Sequence, residues 1–250
     1  MNWTTLDLDL GFKPDDLKIG IPIVLGLIGF IIFWFTQESA KVKARFYERW
    51  GEDQGSANFI LFTKCLGAFS MGVLPAIVYF IVYPESSLSE LGLSLRTDTF
   101  LPFLAWTVGL SAILIPVSSF SARKPEGFDF YPQIRAKVWD RKLIITNIAA
   151  WSIYLLGYEF YFRGLLFFPL VETIGVWPAI AVNIGMYSAT HIPKSMQEAI
   201  GAIFLSVVLC ILTLQTGHIW IAFWVHLAMA LSNSFTALKF NPAMTIGKRD

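Results

Sequence analysis

Long apolar runs separated by short polar connections dominate this chain. They fall near residues 18–36, 57–83, 100–119, 143–170, 176–191, 198–215 and 218–238. A helix needs roughly 20 apolar residues to cross about 30 Å of hydrocarbon. By that measure 176–191 is short, whereas 57–83 and 143–170 are long enough to tilt or to contain a break. The pattern predicts an all-α fold, a polytopic membrane helix bundle of about seven transmembrane helices. Residues 1–250 read as a single membrane domain, with N-terminal helices and a cytoplasmic loop in 18–142 and core helices in 143–238. Segment 121–142, with Pro125, Gly127 and Pro132 among aromatic and charged residues, is the longest polar connection and is expected to form a surface or re-entrant helix.

Composition agrees with this class: hydrophobic residues make up 55% of the chain, charged residues 15%, and mean hydropathy is +0.59. The net charge of +1 gives no reason to invoke nucleic acid, and the partners the pattern implies are membrane lipids. Basic residues are distributed unevenly. Those in 41–49 and 123–142, together with Lys194, Lys239, Lys248 and Arg249, fall on one side of the predicted spans, leaving Lys13, Lys18 and Arg96 on the other. Cytoplasmic loops collect Lys and Arg, so the expectation is a multi-pass protein of a plasma (inner) membrane, N-terminus outside and C-terminus cytoplasmic. The start carries Asp7, Asp9, Asp15 and Asp16 without a basic leader region, and the first span is expected to stay as an anchor. Cys65 and Cys210 both fall in spans and read as packing residues.

Ionisable residues at membrane depth are the candidates for function, because each is costly to insert there. Glu159 and Arg163 are four apart and share one helical face. They read either as a structural ion pair or as a carboxylate held for general-base chemistry. His191 and His226 are placed on two further helices. With Glu159 they make a set that suits water activation or, equally, three zinc ligands. The zinc-peptidase signature H-E-x-x-H is absent from the sequence, and the residues leave open water activation without a cofactor and, as the alternative, a divalent metal such as zinc. An ionisable set in a polytopic protein also fits a proton or solute path, a transporter reading weakened by the lack of paired broken-helix repeats. His218, at the start of the last span, is expected at the interface.

Three ordered segments carry a resemblance: Tyr158-Glu159-Phe160-Tyr161-Phe162-Arg163-Gly164, Tyr187 through His191, and His226 through Ala230. They resemble the motifs E-E-x-x-x-R, F-x-x-x-H and H-x-x-x-N of the CPBP (Abi) intramembrane peptidases, which include the type II CAAX prenyl endopeptidases. The similarity runs over about 145–235. It implies an endopeptidase that hydrolyses a membrane-proximal or lipid-modified, CAAX-like peptide with water activated by Glu159 and His191. It further implies that His226 stabilises the oxyanion, that Arg163 orients Glu159, and that water activation requiring no cofactor is preferred to the zinc alternative. Two departures fall on the chemistry. Tyr158 replaces the first glutamate, and a phenol is a poor base at neutral pH. Ala230 replaces the asparagine, for which Asn233, seven residues after His226, is the nearest substitute on the same face. The departures open the alternative of a catalytically impaired member that binds a membrane peptide without cleaving it.

Overall fold

The structure is a computed structural model that describes residues 11, 13–193 and 195–247. Asp7, Asp9, Lys194, Lys248 and Arg249, used above for topology, lie outside the described residues. Among the described residues six helices are long and apolar enough to cross a membrane: Pro14–Gln37, Ala40–Val82, Phe100–Ala122, Arg141–Ile174, Met196–Thr216 and Trp220–Phe240. The bundle is therefore almost wholly helical, as the run pattern predicts. We label its α-helices α1 (Pro14–Gln37), α2 (Ala40–Gly67), α3 (Leu74–Val82), α4 (Phe100–Ala122), α5 (Arg141–Glu159), α6 (Phe167–Ile174), α7 (Val176–Ala189), α8 (Met196–Thr216) and α9 (Trp220–Phe240).

The two longest spans contain the breaks that their length suggested. A π-helical turn at Ala68–Val73 joins α2 to α3, and a second at Phe160–Leu165 joins α5 to α6. The first turn lies against α5 through glycine: a Cβ on Gly72 would come within 2.8 Å of the Gly157 carbonyl oxygen, and one on Gly157 within 2.7 Å of the Ala68 Cα. Small residues let helix backbones approach this closely, which is how packing is gained where lipid removes the hydrophobic incentive to associate. A further kink sits at Gly51, whose φ of 74° only glycine adopts readily. It separates the basic start of α2 from its apolar length.

The region near 176–191 differs from the prediction. Helix α7 has 14 residues, about 21 Å of rise, and cannot cross alone. Gly175, at φ 85°, reverses the chain after α6, and α7 runs back along the Phe160–Leu165 turn, where Asn183 Nδ2 donates to the Phe162 carbonyl oxygen at 2.5 Å. It ends inside the bundle, so Thr190 and His191 finish beside Tyr158.

Segment 121–142 also departs from expectation, since it forms neither a surface helix nor a re-entrant one. After a 3-10 turn at Pro125–Asp129 it runs extended and buries Ile134, Ala136 and Trp139 against Ala57, Phe59, Ile60 and Leu238. Strand β1 (Val138–Trp139) pairs in parallel with β2 (Thr245–Ile246). The Arg135 amide donates to Ser56 Oγ at 2.6 Å and the Lys137 amide to Asp53 Oδ1 at 3.0 Å. Extended backbone is stable here because α2 and the C-terminal strand accept or supply its hydrogen bonds. At the opposite end, Lys18 meets Glu172 at 3.2 Å, Arg96 meets Asp98 at 2.8 Å, and Thr99 Oγ1 donates to the Thr216 carbonyl. The described basic residues of 41–49 and 123–142 thus share one end of the bundle, with Lys18 and Arg96 at the other.

Candidate functional site

The two π-turns bring the end of α5 against α9, and with it the polar residues of the first motif. Glu159, the last residue of α5, is fully buried. His226 Nδ1, on α9, donates to its Oε1 at 2.6 Å, and Arg163 Nη1 lies 3.6 Å from its Oε2. A carboxylate only accepts, so this contact fixes the proton of His226 on Nδ1 and leaves Nε2 as the ring's remaining polar atom.

Arg163 is fully buried as well. Its guanidinium lies over the Tyr187 ring, 4.1 Å from the centroid, and Nη2 contacts Ser206 Oγ at 3.4 Å. Ser206 donates in turn to Asn183 Oδ1 at 3.1 Å, with Cys210 Sγ 3.4 Å from the same oxygen. The ion pair is therefore tied to α7, α8 and α9. Asn183, Ser206 and Cys210 were not legible as site residues, since nothing in their spacing separates them from packing.

His191 is held differently. Its Nδ1 lies 2.9 Å from the Tyr187 carbonyl oxygen and 3.2 Å from Thr190 Oγ1. Thr190 Oγ1 donates to the same carbonyl at 2.7 Å, so Tyr158 must donate its hydroxyl proton to Thr190 Oγ1, at 2.7 Å. The Tyr158 ring stands between the histidines, with centroids 5.7 Å from His226 and 6.5 Å from His191, both edge to face.

A cavity of about 30 Å³, room for a water or a small polar group, is lined by Tyr158, Thr190, His191 and His226, with Lys64, Trp151, Tyr154, Gln37 and Gln133 among the others. Glu159 and Arg163 are not among its lining residues. Glu159 contacts His226 and Arg163, whereas His191 lines the cavity together with His226. Among the described residues no group of three His, Cys, Asp or Glu side chains is placed to hold a metal ion.

The residues offered for the third motif fare unequally. Ala230 is buried and supplies no side-chain donor. Asn233 lies seven residues beyond His226, about 10 Å further along the axis of α9, and is not among the cavity-lining residues. His218, expected at the interface, is instead fully buried in the turn between α8 and α9, edge-on to Phe103 at 5.3 Å. Lys64 lies in the apolar run 57–83 and belongs to none of the motif segments. It is 2% exposed, lines the cavity, and holds its ammonium 3.6 Å from the Trp151 ring centroid and 4.0 Å from that of Tyr154. Its position in an apolar run was the one available signal.

Residues 140–232 match the family described as Type II CAAX prenyl endopeptidase Rce1-like. The matched part contains α5, the Phe160–Leu165 turn and the three motif segments. No curated protein and no solved structure matches the chain.

Proposed function

We propose, from the CAAX-protease relationship of residues 140–232, that this multi-pass membrane protein binds a membrane-proximal or lipid-modified peptide without hydrolysing it by the family's water-activation route. One observation carries the reading. The only carboxylate of the motif segments, Glu159, is bonded to His226 and paired with Arg163 outside the cavity, while Tyr158 occupies the cavity wall where that family has a glutamate. General-base catalysis needs the base within hydrogen-bond reach of the water it deprotonates. A phenol engaged as donor to Thr190 does not fill that role. Ala230 removes a further donor for a developing oxyanion, of the kind whose loss costs about 3 kcal/mol of barrier stabilisation.

Residual hydrolysis is the second reading, favoured by the placement of His191 and His226 on one cavity. The basic end of the bundle, facing the cytoplasm by the excess of Lys and Arg, is the side from which a peptide tail enters. Incubating the purified protein in nanodiscs with prenylated and unmodified membrane peptides, followed by mass spectrometry, tests the reading. Retention of a peptide uncut supports it. Cleavage by the wild type that disappears in His191→Ala overturns it in favour of hydrolysis.

A further inference from the structure

Helix α2 and its continuation into α3 form one run of 43 residues, Ala40–Val82. As a straight helix this run would be about 65 Å long, roughly twice the hydrocarbon it has to cross. The break at Gly51, with φ 74° and ψ 175°, divides it, and residues 40–50 become a short arm of their own. Ser39 caps the arm, its Oγ accepting from the Val42 amide at 3.3 Å. The arm folds back on the start of the span: a Cβ on Gly55 would come within 2.7 Å of the Phe46 carbonyl oxygen. The Phe46 ring packs on Phe59 and Phe62, with centroids 5.7 and 5.3 Å away. Phe62 is 41% exposed in an apolar run, so it faces acyl chains, and the arm beside it lies where those chains meet the headgroups.

Helical spacing sorts the side chains of the arm into adjoining rows. Val42, Phe46 and Trp50 make an apolar row, and Lys41, Arg45 and Arg49, each one residue earlier, make a basic row beside it. The three basic side chains are exposed, as are Lys43 and Trp50. An apolar row next to a cationic one, with tryptophan at the edge, is the pattern of helices that lie in the plane of a membrane interface.

The cations of the arm are also left without acidic partners. At the opposite end Lys18 and Arg96 each meet a carboxylate, whereas among the described residues Lys41, Lys43, Arg45 and Arg49 enter no ion pair. Lys43 and Arg49 lie instead over the rings of Tyr47 and Trp50, at 5.6 and 4.6 Å. An aromatic face orients a cation and carries no net charge of its own. With four basic residues against Glu48 alone, the arm presents its excess of positive charge outward.

We propose that residues 40–50 form a binding surface for anionic phospholipid, with Lys41, Arg45 and Arg49 on the headgroups and Val42, Phe46 and Trp50 set into the acyl boundary. Charge complementarity selects this class, because a basic row attracts headgroups of net negative charge and gains nothing from zwitterionic ones. The arm follows directly on Gln37, which ends α1 and lines the cavity of the two histidines, so lipid held there adjoins an element of the cavity wall. The surface is separate from the cavity and stands whether or not a peptide binds there.

The test is native mass spectrometry of the full-length protein released from detergent micelles supplemented with phosphatidylglycerol or phosphatidylcholine, which both carry a phosphate and differ in net charge. With about fivefold for each Lys or Arg at a charged surface, the wild type should retain the anionic lipid more than about tenfold over the zwitterionic one. Lys41→Gln/Arg45→Gln/Arg49→Gln should lower that preference about tenfold or more, while Arg123→Gln/Lys124→Gln should leave it within about twofold. If the triple variant fails to fold, as judged by gel filtration, Arg45→Gln carries the test and should lower the preference about fivefold. Equal retention of the two lipids by the wild type, or a preference that survives the triple variant, overturns the surface. A loss as large in Arg123→Gln/Lys124→Gln as in the triple variant also overturns it, because the basic end would then act through its summed field and not through the arm.

Discussion

The Glu159 carboxylate is shared between two helices: His226 Nδ1 on α9 reaches one oxygen at 2.6 Å, and Arg163 Nη1, one turn on from α5, faces the other at 3.6 Å. This arrangement fixes the register of α5 against α9 at the depth of the cavity. Glu159 is also absent from the residues that line the cavity. The same contacts therefore bear on stability and on chemistry.

Breaking that pair from one side should be costly. Arg163→Met leaves Glu159 buried beside a single histidine, and loss of one partner of a buried ion pair costs about 3–5 kcal/mol. Replacing both members, Glu159→Gln with Arg163→Met, should recover most of the loss, because no uncompensated charge remains. Thermal unfolding in detergent checks the ordering; a single mutant as stable as the double contradicts it.

The packing of the Ala68–Val73 turn on α5 gives a second prediction. Gly157→Ala introduces a Cβ within 2.7 Å of Ala68 Cα, and overpacking of this kind costs about 1–3 kcal/mol. Gly109→Ala in α4 meets nothing within 4 Å and should leave the unfolding midpoint unchanged or slightly raised. Equal effects at the two positions would show that α5 and the Ala68–Val73 turn do not meet as described.

The extended loop should be part of the stable fold. Trp139 is completely buried and donates Nε1–H to the Ala136 carbonyl at 3.0 Å. Its replacement by alanine should cost about 3–5 kcal/mol and expose the loop to limited proteolysis. Survival of the loop against protease in Trp139→Ala would count against a structural role.

His218 predicts a pH dependence. Burial holds its imidazole below the ordinary value of 6.5, with nearby Arg96 acting in the same sense. The native state then resists a proton that the unfolded chain accepts. The resulting stability is fully present above pH 6.5 and is lost progressively as pH falls from there through the lower native value. Unfolding midpoints should drop between neutral pH and about pH 5, within the range where histidine titrates, and His218→Phe should lessen the drop. An identical drop in the variant would assign it to other groups.

Much of the bundle was legible because lipid imposes a simple rule: apolar runs of sufficient length become spans. The rule fails where a helix is sheltered by protein. Helix α7 is apolar yet ends inside the bundle, and the chain reversal at Gly175 that allows this leaves only a glycine in the sequence. The loop over 121–142 looked polar because its charges alternate with the apolar side chains it buries, Ile134, Ala136 and Trp139. For the site, the i, i+4 spacing of Glu159 and Arg163 correctly announced their contact. Which histidine would join them was not written there, since it depends on how α9 packs on α5. Lys64 escaped notice for the same reason, its aromatic partners lying on α5, about 90 residues away in the chain.

The most direct test of the account compares the wild type with Tyr158→Glu/Ala230→Asn on one peptide that both bind, measuring bound and cleaved peptide in the same samples. The account predicts equal retention by the two proteins, no cleavage by the wild type, and cleavage by the double variant once a carboxylate and a donor line the cavity. Cleavage by the wild type, abolished in His191→Ala, would contradict it and return Glu159 to the role of general base.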